Sequence, residues 1–439
     1  MALTLKVDNG EFIFSGRSMQ ITKDKNALLK DYNKQIYNYG INLCMLPSGE
    51  GSIKINQQIG NARVVRNDYL SKRIELYEKS KLTLSVSEYK KNILPKLKEE
   101  KEFLKLSDKF ALESAIEHVD IAYKNFFENL KKGRKAGFPK FVSKYKPSGN
   151  KYTTKYTNGN IKLIMEDNLP YIQLPKVGKI RIVIPKGKTF NDLVPTGTKI
   201  TSASIQKQGN NYTVSIQLET VIDEIIPINS VYRNNIYAMD MGIKSFGVYG
   251  NEDITVNKEN PRWIKIHQKR LRRFQKSLSR KQYDFRTHTG SKNYYKAKIK
   301  LAKEHRKLRN QRKDFQHKLS REIVNNCNVF ICEDLNIKGM IKNHKLAKEI
   351  SSCGWAQFLE FVKYKLQRNG GIFIKVDRFF ASSKLCYYCG YKNNDLTLKD
   401  RKWTCPVCGN HLDRDENAKN NLIKEGIRIL ENELNVAII

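Results

Sequence analysis

Apolar residues fall in different rhythms along the 439-residue chain, and the changes of rhythm divide it. Residues 1–22 alternate weakly (Leu3, Leu5 and Val7, then Phe12 and Phe14), which predicts one or two short strands. From about Lys23 the spacing turns helical. Its clearest stretch is SDKFALESAIEHVDIAYKNFFENLKKG, where Leu112, Ile116, Val119, Tyr123 and Phe126 form one continuous stripe. Ser107 or Asp108 is placed to cap that helix and Gly133 to stop it. SVSEYKKNILPKLKEE is also helical, interrupted at Pro95. Residues 23–132 thus read as a helical insertion. Between Ile161 and Thr220 the period is two, through KLIMED, YIQLPKVGKIRIVIPKG and the hairpin SASIQKQGNNYTVSIQLET, which turns at Gly209, Asn210 and Asn211. Four or five short antiparallel strands predict a small β-barrel over 133–228, completed by the strands of 1–22.

Beyond the linker VIDEIIPINS the pattern changes to an α/β half. In NNIYAMDMGIKSFGVYG, Ile236, Ala238 and Asp240 share one face of a strand, and Gly242 allows a turn into a partner strand at 245–249. Leu301, Leu308 and Phe315 recur every seven residues, and Leu319 and Ile323 continue the stripe. With Leu271, Phe274 and Leu278 before a break at 287–291, residues 260–325 predict a helical hairpin. VFICEDLNIKGM opens as a buried strand ending in Glu333 and Asp334. WAQFLEFVKYKLQRNGG is an amphipathic helix, GIFIKVDRFF a buried strand, and NAKNNLIKEGIRILENEL a last helix.

Charge changes the meaning of that hairpin. The chain carries a net +37, and residues 262–321 hold 22 Lys or Arg against three acids, Asp284, Glu304 and Asp314. A charge run on a helix is usually a solvated face, but here the balancing acids are absent, which favours a ridge facing phosphates. The stretch 133–160 interleaves Lys and Arg with aromatics and suits backbone tracking with base stacking, where a neutral reading would be a linker. No run of 18 apolar residues exists, and MALTLKVDNGEF lacks the features of a signal peptide, so no membrane attachment is expected.

Four of the eight cysteines, Cys386, Cys389, Cys405 and Cys408, follow C-x2-C-x15-C-x2-C, the spacing of a zinc ribbon. Four thiolates leave zinc no open position, so its role is structural, in a reducing compartment. Cys44, Cys327, Cys332 and Cys353 are scattered. The acids are weaker signals singly: Glu333 and Asp334 end a strand, and Asp413 or Asp415 is first of all an N-cap. Asp240 taken alone could merely cap a turn, yet a carboxylate mid-strand among apolar residues needs a cation. An acid on the first strand, one at the end of a later strand and one at the head of the last helix can converge. Beside a basic surface, that set suits two-metal phosphodiester cleavage with Mg2+ or Mn2+. GxSxG, a P-loop and a His-Asn-His pattern are all absent, so a single site would cut both strands of a duplex in turn.

The segments LSVSEYKKNILPKLK, AYKNFF with GFPKF, AMDMGIKSF, RRFQKSLSRK, QRKDFQHKLSREI, EDLNIKGM, DRFFASSKLCYYCG and WTCPVCGNHLDRDENAKNNL together resemble the TnpB proteins of insertion-sequence transposons, relatives of the compact type V CRISPR nucleases. The resemblance implies a multidomain α+β chain. A wedge-type barrel (1–22 and 133–228) carries the helical recognition insertion 23–132. An RNase H-like, RuvC-type nuclease domain (229–383 and 411–439) carries the zinc ribbon 384–410. It also implies that Asp240, Glu333 and Asp415 are the three acids, holding two Mg2+ or Mn2+, and that one Zn2+ sits on the four cysteines. The implied partners are a guide RNA encoded near the transposon end, of the omega type, and double-stranded target DNA cut beside a short flanking motif. Localisation would be prokaryotic and cytoplasmic, nucleoid-associated when on DNA. Arg272, Arg273, Lys276, Arg280, Lys281, Arg309, Arg312 and Lys313 on the hairpin are the candidate nucleic-acid contacts, and Lys392, Lys399, Arg401 or Lys402 could add the ribbon to that surface. The N-terminal half departs too far for motif-reading residues to be carried over. Three other readings compete: a compact CRISPR effector, a non-cleaving RNA-guided repressor and a DDE-type transposase. All three acids are intact, against the repressor, and a ribbon between the second and third acids favours the nuclease over the transposase.

Overall fold

The computed structural model describes residues 4–8, 11–15, 29–30, 33–145, 147–287, 289–343, 346–397 and 400–439. They form two compact units, Met1–Glu224 and Ile225–Ile439.

In the first unit, among the described residues, β1 (Thr4–Asp8) and β2 (Glu11–Ser15) pair only with each other. β3 (Lys34–Leu46) is the first strand of a seven-stranded antiparallel sheet that also holds β4 (Lys151–Lys155), β5 (Lys162–Glu166), β6 (Leu169–Leu174), β7 (Gly178–Val183), β8 (Lys199–Gln208) and β9 (Asn211–Asp223). Its order is β4-β8-β9-β3-β7-β6-β5. Two expectations are corrected. Residues 34–46 lie in the stretch read as helical, yet Leu43 and Met45 are buried while Asn42 and Cys44 are exposed. That is the period of a strand, masked in the sequence by intervening Asn and Gly, which disfavour strands. β3 rather than the N-terminal strands joins the sheet, pairing along β9 from Lys34↔Asp223 to Met45↔Tyr212.

Two helices dominate the rest of this unit, α1 (Gly49–Ser80) and α2 (Lys109–Lys131). Asp108 caps α2, its Oδ2 accepting from Ala111 N at 3.0 Å and from Thr154 Oγ1 at 2.5 Å. Leu112, Ile116, Val119 and Tyr123 of the predicted stripe bury against Val65, Tyr69 and Leu70 of α1. The segment after α2 is tied down rather than free: Arg66 donates to Lys140 O at 3.1 Å and Asn67 to Val142 O at 2.8 Å.

The second unit is built on a mixed sheet. β10 (Ser230–Val231) precedes β11 (Ile236–Asp240), β12 (Ser245–Gly250) and β13 (Val256–Glu259). The basic hairpin follows as α3 (Trp263–Ser279), a ribbon of β14 (Tyr283–Asp284) and β15 (Thr289–Gly290), and α4 (Lys292–Asn326). The ribbon starts ahead of the predicted break at 287–291, at Tyr283, and position 288 lies outside the described residues. His267 is buried between the two helices, bonded to Glu304 at 2.6 Å and Gln311 at 2.7 Å. β16 (Val329–Glu333), α5 (Trp355–Arg368) and β17 (Ile372–Val376) come next. The sheet order is β13-β12-β11-β16-β17, with β11, β16 and β17 parallel. A small ribbon of β18 (Lys402–Thr404) and β19 (His411–Asp413) leads into α6 (Arg414–Asn432), and β20 (Ala437–Ile438) pairs with β10.

β11 is apolar from Ile236 to Met239 because both its faces are covered there. Tyr237 and Met239 pack toward α4 and α5, while Ile236 and Ala238 pack toward Leu422, Ile423 and Leu430 of α6. Asp240 and Glu333 stand at the C-terminal ends of neighbouring parallel strands, the edge where open α/β sheets place their ligands. α6 comes close to the sheet because residue 426 is glycine: a Cβ there would lie 2.1 Å from Ile331 Cδ1. Among the described residues no helix is long and apolar enough to cross a membrane.

Gly426→Ala is therefore expected to destabilise the protein by about 1–3 kcal/mol, since overpacking outweighs the gain of roughly 1 kcal/mol in helix propensity. Ile331→Val, which deletes the offending methyl, should recover part of that loss in the Gly426→Ala background while costing stability alone. Denaturant melts of the four proteins in the cycle measure the coupling.

Candidate active site and metal centre

Without the resemblance, spacing alone leaves two pairs of neighbouring acids open, and local hydrogen bonding separates them. Asp413 is the N-cap of α6, its Oδ1 accepting from Asp415 N at 3.0 Å and Glu416 N at 3.2 Å. Asp334 is held in ion pairs with Lys375 at 3.0 Å and Arg378 at 3.1 Å, which lower its pKa. The other member of each pair, Asp415 and Glu333, joins Asp240 in one cleft of about 730 Å3 together with Ser382, Arg401 and Arg414. Ser382 Oγ donates to Glu333 Oε1. Arg401 Nη1 reaches both oxygens of Asp415, at 3.2 and 3.1 Å.

Asp240 keeps some exposed surface, but its carboxyl is desolvated, and burial pushes its pKa up to about 8. The negative charges of Glu333 and Asp415 add to the rise, while Arg414 and Arg401 oppose it. Like charges gathered in a desolvated cleft repel one another, so such a set is held together by protons or cations. The three carboxylates are less tightly gathered than the cysteines: among the described residues, only the four thiols form a metal-sized group, with all sulfurs within 4.8 Å of one another.

That thiol group is made by two matching turns. Cys386 N bonds Tyr391 O and Gly390 N bonds Cys386 O, both at 2.8 Å; Cys405 N bonds Asn410 O and Gly409 N bonds Cys405 O, both at 2.9 Å. Gly390 and Gly409 take positive φ, 75° and 70°, which closes each turn. Cys386 and Cys408 sulfurs are 3.6 Å apart, those of Cys389 and Cys405 3.5 Å. A tetrahedral centre with metal–sulfur bonds near 2.3 Å needs sulfurs about 3.7 Å apart, so the donor set fits zinc. Trp403, Leu396 and Leu412 form a small core beneath.

On the hairpin, Arg272, Arg273, Lys276, Arg280, Lys281, Arg309 and Lys313 are exposed. Arg312 departs from the expectation: it is half-buried and donates to Ser351 O at 3.2 Å, bracing the segment before α5. Lys392 and Lys402 are exposed on the ribbon, and Lys399 lies outside the described residues. Sequence reasoning missed Ser382, Arg414 and the inward turn of Arg401. Only their proximity to Cys386 and Asp415 in the chain could have signalled them.

Comparison with known proteins follows the same outline. Residues 215–344 match the family OrfB_IS605, described as "Probable transposase", and residues 355–422 match the Cas12f1-like TNB domain. A Streptomyces pristinaespiralis protein named "Putative RNA-guided DNA endonuclease" is 28% identical over 87% of each chain. An Escherichia coli K12 protein of the same name, InsQ, is 25% identical over 88% of this chain and 91% of its own. The structure of Cas12f1 in complex with sgRNA and target DNA superposes with a TM-score of 0.56, at 15% identity, covering 89% of this chain and 99% of that one. The fold is of the Cas12f type, a mixed α/β multidomain architecture. Along most of its length the chain is similar to proteins named as RNA-guided DNA endonucleases, and over residues 215–344 to the OrfB_IS605 family.

The raised pKa of Asp240 makes a stability prediction. Between pH 4 and pH 8 the unfolded chain releases this proton and the folded, Mg2+-free chain keeps it, so stability falls as pH rises through that window. Asp240→Asn removes the penalty. It should stabilise the Mg2+-free protein by roughly 1–4 kcal/mol at pH 7 and by nothing at pH 4. Thermal melts from pH 4 to 8 without added divalent ions check both the sign and the window.

Proposed function

We propose that this chain is an RNA-guided DNA endonuclease of transposon origin that cuts target DNA beside a short flanking motif at a single site. The observation that carries the reading is the desolvated Asp240 facing Glu333 and Asp415 in one cleft. Residues 229–383 and 411–439 then act as the RuvC-like nuclease domain, 384–410 as its zinc ribbon, and 133–228 with the helical block as the nucleic-acid-recognising half. Asp240, Glu333 and Asp415 would hold two Mg2+ or Mn2+ ions, which supply water activation and charge stabilisation during phosphodiester hydrolysis. Ser382 fixes the orientation of Glu333. Arg401 and Arg414 bring positive charge to the cleft, where a phosphodiester would carry its negative charge. The exposed cations of α3 and α4 supply salt-sensitive contacts to guide RNA or heteroduplex.

The test is to purify the chain with its co-bound RNA, sequence that RNA, and assay cleavage of a matched duplex in Mg2+. Asp240→Ala and Glu333→Ala should abolish cutting while leaving RNA binding intact. Wild-type rates in either variant would defeat the assignment. Elemental analysis should find one zinc per chain, lost in Cys405→Ser with increased proteolysis around residues 384–410.

A compact CRISPR effector is the second reading, favoured by the Cas12f1-like match over 355–422. A co-purified RNA derived from a repeat array rather than a transposon end would select it.

A further inference from the structure

The first cysteine turn is fastened to the carboxylate cleft by hydrogen bonds that neither a bare metal clip nor a bare acid site requires. Asn417 and Asn421 lie one turn apart on α6 and are almost wholly buried, 2% and 4% exposed. Asn417 accepts from Tyr387 N at 3.0 Å and donates to Leu385 O at 2.6 Å. Asn421 donates to Leu385 O at 2.7 Å and to Ser382 O at 2.8 Å. Both amides therefore grip the main chain at 382–387, which runs into Cys386. Asn417 is two residues from Asp415 on the same helix. Ser382, 3% exposed, belongs to the gripped segment, and its hydroxyl bonds Glu333. A third tie runs from Tyr387 OH to Glu252 Oε1 at 3.0 Å. Glu252 follows β12, the strand that pairs Val248 with Asp240.

Elements bearing all three acids are thus referenced to one six-residue segment that ends in a metal-ligand turn. We propose that Ser382, Asn417 and Asn421 are positioning residues that index the acids to the cysteine ribbon, so that an intact ribbon sets the divalent-ion affinity of the carboxylate cleft. The inference rests on the assignment of Asp240, Glu333 and Asp415 as divalent-ion ligands. Groups of this kind, which orient ligands without touching the ion, are worth about 10- to 100-fold in affinity.

Mn2+ is the probe, its binding to the full-length chain followed by electron paramagnetic resonance of the free ion, with zinc content measured in parallel. The wild type should bind Mn2+, and Asp240→Asn should remove that binding. Ser382→Ala and Asn417→Asp should each weaken it about tenfold or more while one zinc per chain is retained. Asn417→Asp keeps the acceptor for Tyr387 N, turns the donor to Leu385 O into an acceptor and adds a negative charge, so a loss of Mn2+ affinity in it runs against the electrostatic gain. Cys405→Ser should weaken Mn2+ binding comparably, and Asn417→Asp combined with it should add little further loss, because both break the same chain of contacts. Unchanged Mn2+ affinity in Ser382→Ala and Asn417→Asp overturns the proposal, as do losses that simply multiply in the double variant. Should Ser382→Ala or Asn417→Asp shed zinc, a normal Mn2+ affinity in that protein would equally overturn it. A wild type whose Mn2+ binding is indifferent to Asp240→Asn sinks the acid-site assignment itself, a result distinct from these.

Discussion

Like charges gathered in a place that excludes water impose the strictest condition on this molecule. Asp240 is tolerated on β11 by keeping its proton up to about pH 8, while Arg414 and Arg401 oppose the charges of Glu333 and Asp415 and Ser382 bonds Glu333. The surrounding architecture serves to hold that unfavourable arrangement still. Parallel pairing of β11 with β16 sets Asp240 beside Glu333, and the close seat of α6 on Ile331 brings the head of that helix, with Asp415, to the same edge. Apolar burial on both faces of β11 supplies the stabilisation against which the repulsion is set. Loosening any of these supports lets the acids move apart, since nothing in their mutual electrostatics draws them together.

Much of this was legible in the sequence for physical reasons that differ from place to place. The four cysteines were readable because metal coordination needs fixed spacing, and Asp240 because a charge amid apolar strand residues is rare without purpose. The α2 stripe was readable because one face of a helix must be apolar to pack. β3 was not, since Asn38, Gly40 and Asn42 carry no strand signal and its partner β9 lies far away in sequence. Arg312 looked like one more cation of a basic helix. Its bond to Ser351 O depends on where a separate segment docks, which local pattern does not encode. Choosing Asp415 over Asp413 needed the resemblance. In the fold a capping bond explains the choice, since the carboxylate that caps the helix is occupied by backbone N–H groups.

The basic hairpin illustrates how a strongly charged element keeps its shape. Leu271 on α3 and Ala297 on α4 are buried, whereas Leu301, Leu308 and Phe315 are only half-buried. Buried His267, bonded to Glu304 and Gln311, adds a directional contact between the helices. One of the three acids of the 262–321 stretch is thus spent inside the hairpin, and its outer surface is more positive for it.

The way the ribbon rejoins the nuclease-like sheet has a consequence for lineage. Lys402 pairs with Asp413, and Arg414 N bonds Arg401 O, so the two strands flanking the second cysteine turn are locked together just before α6 begins. Insertions or deletions outside that lock, between Tyr391 and Arg401, change the size of the ribbon without shifting the register of the helix. A single residue inserted between Asp413 and Asp415 would instead rotate the aspartate about 100° around α6 and part it from its cap. Descendants of such a chain can therefore remodel the ribbon freely in length while the few residues at its exit stay fixed.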